Sequence, residues 1–228
     1  MNHTRWLKHL RILALLIMLS LPVLFLSLRI VKARQSPCAL YESIRFDDVS
    51  NAERLINQGL VDQPCRGIYP IHAAAMQSNQ RLLQFILNKG VDPNRPDDET
   101  GKTPLMWVVG NSSLARTRDV ECFDFLLASG ADINSKSKYY ENSVLNHFAS
   151  NGNARLINEL IEHGANIETQ NERGQTPLHT AVEAENINAV EVLLKHGSDT
   201  SVVDKNNETP LDIAKRLDLP EIQKLLTE

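Results

Sequence analysis

Along residues 38–228 the apolar positions follow a helical spacing that is broken at regular intervals by glycine. Val190, Leu193 and Leu194 share one face of a segment that ends at Gly197. Leu160 and Ile161 lead to Gly164, Leu126 and Leu127 to Gly130, Phe85 and Ile86 to Gly90, and Leu55 and Ile56 to Gly59. Each segment is predicted to be a short helix closed by a left-handed residue, a conformation that glycine adopts without a Cβ clash. Upstream lies a second short apolar segment with its own opening signal. Thr176 can cap a helix through its hydroxyl, and Pro177 follows where its missing N–H costs nothing. Leu178 and Ala181 then fall on one face. Such a helix pair is too small to bury a core alone, so the pattern predicts an all-α chain of stacked pairs.

The opening signal recurs. Thr176-Pro177-Leu178-His179-Thr180-Ala181 returns as Thr209-Pro210-Leu211-Asp212-Ile213-Ala214 and as Thr103-Pro104-Leu105-Met106-Trp107-Val108. Looser copies read Ser143-Val144-Leu145-Asn146-His147-Phe148 and Tyr69-Pro70-Ile71-His72-Ala73-Ala74. In chain order the steps between copies are 34, 40, 33 and 33 residues. A period near 33 marks a helical solenoid, and the glycine phrase keeps a fixed offset from the first phrase. Together the two phrases resemble the ankyrin repeat over roughly residues 38–228.

That resemblance implies an ankyrin-repeat solenoid: helix-turn-helix units joined by short β-hairpin loops. Its register gives an N-terminal cap at 38–66, repeats at 67–99, 100–140, 141–173 and 174–207, and a C-terminal cap at 208–228. The last cap suits solvent, because Lys215, Arg216, Asp218, Glu221 and Lys224 sit among its apolar positions. Repeat 100–140 departs from the pattern: Thr103 to Gly130 is six residues longer than the matching interval elsewhere, with the surplus around 111–118. It reads either as a tolerated surface insertion, since lengthening a loop costs little entropy, or as a partner-contact loop.

The amino terminus has another character. Residues 12–28 carry no charge, with Arg5, Lys8 and Arg11 before them and Arg29, Lys32 and Arg34 after. As a helix this run would rise about 26 Å, a little short of a ~30 Å hydrocarbon core. Snorkelling of Arg11 and Arg29 covers the difference, and Pro22 kinks such a helix without forbidding it. The reading is a basic tail (1–11), a transmembrane signal-anchor helix (12–31) and a linker (32–37). A cleaved signal peptide is the alternative, with small residues offered by Val31-Lys32-Ala33. Basic residues balance on the two sides, so orientation leans only slightly toward a cytoplasmic N-terminus. The expected location is a bacterial inner membrane with the repeats in the periplasm. Secretion after cleavage and a cytoplasm-facing domain are the alternatives.

Charge narrows the partners. The chain holds 24 Lys and Arg against 28 Asp and Glu, a net −4. Six of the basic residues and none of the acidic ones lie in 1–35, so the remainder carries 18 against 28, or −10. That argues against nucleic acid or an anionic membrane surface, which demand a basic face. The cysteines add a hint about compartment. Cys38 opens the first helix of the cap and Cys65 lies in the hairpin after it. A bridge between them would staple the least supported repeat in an oxidising compartment; unpaired thiols in a reducing one are the alternative. Cys122 stands beside Phe123, Phe125 and Leu126 and reads as an inert core thiol.

Chemistry is sparse. The chain has no Gly-rich phosphate loop, Gly-x-Ser-x-Gly elbow, His-Glu-x-x-His or paired Cys-x-x-Cys spacing. His72 and His179 occupy the position that, in the ankyrin pattern, bonds backbone and braces adjacent units. His163 and His196 precede helix-ending glycines, where a cation suits the helix dipole. His147 lies on a first helix without a telling neighbour. No catalytic residue, cofactor, metal or small-molecule substrate is expected, and an enzyme or enzyme accessory domain is the remote alternative.

The expected function is therefore non-catalytic protein binding at a membrane, by a monomer, through the concave groove that the ankyrin resemblance implies. Carrying its register over places Trp107, Tyr139, Tyr140, Asn142, Arg173, Gln175 and Glu183 on that face. Adjacent tyrosines on a hairpin suit protein contact, because an aromatic ring with a polar tip is a favoured interface anchor. The same rings could cover neighbouring helices, and Trp107 could pack between units. The partner's identity is open. One version is an immunity-type inhibitor of a periplasmic toxin, with an acidic groove steering a basic effector.

Overall fold

Each opening phrase starts a helix, and each helix-ending glycine follows one. The computed structural model describes residues 37–108 and 117–228. The expected tail, span and all but the end of the linker (1–11, 12–31, 32–37) thus lie outside the described residues, as does most of the surplus at 111–118. The helices are α1 (Pro37–Arg45), α2 (Val49–Leu55), α3 (Pro70–Met76), α4 (Gln80–Leu87), α5 (Pro104–Trp107) and α6 (Thr117–Ala128). After them come α7 (Val144–Asn151), α8 (Ala154–Glu162), α9 (Pro177–Glu183), α10 (Ile187–Lys195), α11 (Pro210–Arg216) and α12 (Pro220–Leu225). Gly90, Gly130, Gly164 and Gly197 all have positive φ just past α4, α6, α8 and α10. The longest described helix has 12 residues and rises about 18 Å. No helix among the described residues is long and apolar enough to cross a membrane.

The motif residue at the third helical position ties one unit to the next. The Thr176 N–H points at Nδ1 of His179 (3.3 Å), so Nδ1 accepts and the proton sits on Nε2, which donates to the Glu208 carbonyl at 3.2 Å. His72 does the same between Tyr69 N–H and the Arg95 carbonyl, at 3.3 and 2.9 Å. Burial holds both rings below the ordinary histidine range, which keeps the accepting nitrogen unprotonated. In α7 an amide replaces the ring: Asn146 Oδ1 accepts from Ser143 N–H, and Nδ2 donates to the Gln175 carbonyl. In α11 the residue is Asp212, whose carboxylate accepts from Thr209 N–H at 3.0 Å. A carboxylate has no proton to pass on to a further carbonyl. In α5 the position falls to Met106, and the helix lasts four residues before Val108 turns extended.

The core is one continuous layer between the helix pairs. Leu40, Leu55, Ile71, Leu83, Leu105, Phe123, Phe148, Leu160, Leu178, Leu193 and Ile213 are all buried in a single cluster. Fully buried Ala73, Ala74, Ala149, Ala181 and Ala214 on the first helices let successive units approach. Cys122 joins this cluster, and burial, with Asp119 and Glu121 adding to it, pushes its thiol up to about 12. Cys38 and Cys65 are bonded to each other, tying α1 to the hairpin that follows the first pair.

Hairpins connect the pairs. Each closes on a backbone bond: Asp97 N–H to Lys102, Ser137 to Asn142, Asn171 to Gln175, and Asp204 to Glu208. Their tips also bond to one another, with Asp98 N–H donating to the Gly67 carbonyl, Glu172 to Tyr140 and Lys205 to Arg173. They are too short to form strands, and only isolated bridges such as Lys136 to Ser143 occur among the described residues.

Candidate protein-binding groove

The hairpin at 137–142 builds the most distinctive surface. Its turn places Tyr140 and Glu141 both at positive φ, 65° and 48°. At the position of Glu141 the other hairpins carry Gly67, Gly101, Gly174 or Asn207, all also at positive φ. A left-handed residue with a Cβ costs about 1–2 kcal/mol, and glycine avoids that cost. The turn therefore carries two full side chains through backbone that favours glycine, and it holds Tyr139 and Tyr140 half-exposed, at 51% and 57%. Gly101 explains how closely this hairpin meets the previous one, since a Cβ there would fall 2.1 Å from Lys138 Cβ.

Lys102, Lys138, Tyr139, Tyr140, Asn142, His147 and Glu172 line a groove of about 750 Å³ between successive hairpins and α7. The Lys138 ammonium lies 5.6 Å from the Tyr139 ring centre, and the Arg173 guanidinium lies 5.6 Å from that of Tyr140. Burial, with Lys102 adding a like charge, pushes His147 down to about 4, so the ring facing the groove is neutral at pH 7. A smaller recess of about 140 Å³ adjoins, lined by Tyr140, Asn142, Asn171, Arg173, Gln175 and Glu183. There Glu183 accepts from Gln175 Nε2 at 3.0 Å and pairs with Arg173 at 3.6 Å.

The structure thus brings Tyr139, Tyr140, Asn142, Arg173, Gln175 and Glu183 together, but not on equal terms. Gln175 is buried and its amide is spent on Glu183. Trp107 departs from the expectation. It is half-buried, its Nε1–H donates to Asp97 at 2.9 Å, and its ring lies edge-on to His72. Burial opposes the Asp97 charge, yet hydrogen bonds from Thr100 and Trp107 outweigh it and hold the carboxyl below its usual range. Trp107 is a brace of its own hairpin. Lys138 and His147 are groove residues that reading the sequence did not single out. His147 lies four positions after Ser143, as Trp107 does after Thr103, and that alignment was the available clue. The groove is also not acidic: Lys102 and Lys138 face a single Glu172, so the negative balance of the domain lies elsewhere.

A family model for ankyrin repeats (3 copies) matches residues 40–137, 112–204 and 145–228. The chain belongs to the ankyrin repeat family. Among curated relatives, the palmitoyltransferase ZDHHC17 of Danio rerio is 32% identical over 150 residues, covering 52% of this chain and 23% of that protein. Inversin of Homo sapiens is 32% identical over 109 residues, covering 48% of this chain and 10% of its own length. The transient receptor potential channel pyrexia of Drosophila melanogaster is 35% identical over 120 residues, 52% of this chain and 12% of the channel. The chain therefore spans less than a quarter of each of these relatives.

These findings correct the expected location. The relatives are animal ankyrin proteins, and no described helix of this ankyrin domain is long and apolar enough to span a bilayer. The reading as a single-pass bacterial inner-membrane protein with a periplasmic domain is overturned. It leaned on a charge-free run at 12–28, which lies outside the described residues. Ankyrin repeats indicate a protein–protein interaction module.

Proposed function

We propose that this ankyrin domain binds an extended segment of a protein partner in the groove between the 97–102 and 137–142 hairpins. The observation that carries the reading is the turn at Tyr140 and Glu141, which takes two consecutive full side chains through left-handed backbone beside two exposed tyrosines. Lys102 and Lys138 beside them favour a partner with a carboxylate flanking an apolar or aromatic side chain. The neutral His147 ring adds a surface that needs no counter-charge. No step of this reading requires catalysis. The toxin-inhibitor version loses its support, because it required a periplasm and an acidic groove.

The test uses the full chain as bait, with the captured partner identified and its affinity measured. Replacing Tyr139→Ala with Tyr140→Ala is expected to weaken that affinity by at least about 1–2 kcal/mol, the range for aromatic anchors. Lys102→Glu with Lys138→Glu should weaken it further and reverse its salt dependence. Melting temperature should hold in both variants, because hairpin tips add little to the stacked core. Full-strength capture by a normally melting tyrosine variant would remove the groove from consideration.

A further inference from the structure

Outside the groove, the stack places a set of metal-type ligands on neighbouring second helices. Asp124 comes from α6, and Glu159 and His163 come from one turn at the end of α8. The ligand atoms of the three side chains all lie within 4.8 Å of one another, with His163 Nε2 4.0 Å from Asp124 Oδ1. The tautomer follows from the partner on the far side of the ring. His163 Nδ1 lies 2.9 Å from the Glu159 backbone carbonyl, which can only accept, so Nδ1 carries the proton. Nε2 is then the ring nitrogen turned toward the carboxylates. A histidine that donates one ring N–H to a carbonyl while offering the other nitrogen is the arrangement found at metal centres. The ring is also steadied edge-on against buried Phe123, at 6.0 Å between centres.

The next unit shows what is particular here. His196 reaches back in the same way, but to the neutral amide of Asn158, which occupies the register of Asp124 six residues before its helix-ending glycine. The register of Glu159 is filled there by Val192. The cross-repeat histidine strut thus recurs, whereas among the described residues the carboxylate pair belongs to the α6–α8 junction. Among the described residues neither Asp124 nor Glu159 pairs with a lysine or arginine. Two carboxylates and one imidazole nitrogen match the hard and intermediate donors that Zn²⁺ accepts. Zn–N and Zn–O distances of about 2.0–2.2 Å need ligand atoms roughly 3.3 Å apart, so the site closes by small rotations of exposed side chains.

We propose that Asp124, Glu159 and His163 form a three-ligand site for a divalent transition metal ion, Zn²⁺ being the best fit. The ion would cross-link α6 to α8 and so fasten the repeat whose first helix, α5, is only four residues long. The proposal stands apart from the groove and does not depend on it.

The test titrates chelator-stripped full chain with ZnCl₂ alone, by calorimetry and by thermal melting. A single tight equivalent is expected, with a rise in melting temperature. His163→Ala, Asp124→Asn and Glu159→Gln should each weaken it roughly tenfold or more. His196→Gln should leave it in place, which separates this site from the other histidines. The three ligands are exposed or half-buried, so the single variants should melt near the parent without metal. Absence of saturable Zn²⁺ uptake, or an equivalent retained at full strength in the triple variant, would overturn the proposal. So would a gain in melting temperature that survives Asp124→Asn.

Discussion

At the scale of single residues, His147 links the groove to solution pH. Its folded value of about 4 lies below its ordinary 6.5, with burial the main cause. The unfolded chain therefore takes up this proton first as pH falls. The stabilisation is present in full above about 6.5 and is lost as pH drops toward 4. His72 and His179 shift in the same direction, so they add to the effect. A loss of up to about 3 kcal/mol from His147 is expected across that window, read as a falling melting temperature. His147→Gln should flatten part of the slope, and an unchanged slope in that variant would place the titration elsewhere. Much at this scale was legible beforehand. Thr176, Pro177 and the helix-ending glycines follow from caps and left-handed backbone, which are local. Trp107 was not, because its choice between groove and hairpin turns on Asp97, ten residues away in sequence but adjacent only once the hairpin forms.

At the scale of elements, the first helix pair has neighbours on one side among the described residues, and the Cys38–Cys65 bond supports it. With a separation of 27 residues, closing that loop should stabilise by about 3.5 kcal/mol in the chain-entropy account. Reduction, or Cys38→Ser with Cys65→Ser, is expected to lower the melting temperature by a matching amount. Equal melting of reduced and oxidised protein would show that the cap is held by Leu40, Ile44 and Leu55 alone. The pairing of helices was readable from two phrases in fixed register. The shortness of α5 was not. Its phrase has the usual Thr103 and Pro104, but Met106 cannot return a hydrogen bond to the Thr103 N–H as His179 does for Thr176. A helix start was visible in the sequence, whereas its early end at Trp107 was not.

At the scale of the whole molecule, stability is a sum of units and of the interfaces between them. Leu193 is fully buried between α10 and its neighbours, and Leu193→Ala should cost about 2–5 kcal/mol through the cavity it leaves. That loss should fall on the C-terminal pairs, whereas the disulfide-tied first pair holds its protection in hydrogen exchange. A uniform loss along the chain would mean the stack unfolds as one body. The location was the part least open to sequence reading, since a charge-free run describes a segment's solubility rather than the host it belongs to. A last consequence comes from Cys122. Its thiol is shut in the core and held in its unreactive form, whereas the other two cysteines are bonded to each other. A permeant alkylating reagent can therefore mark the native chain only while the middle of the stack stands open. Each mark is permanent, so the protein keeps a cumulative covalent diary of its own breathing, legible by mass long after the core has closed.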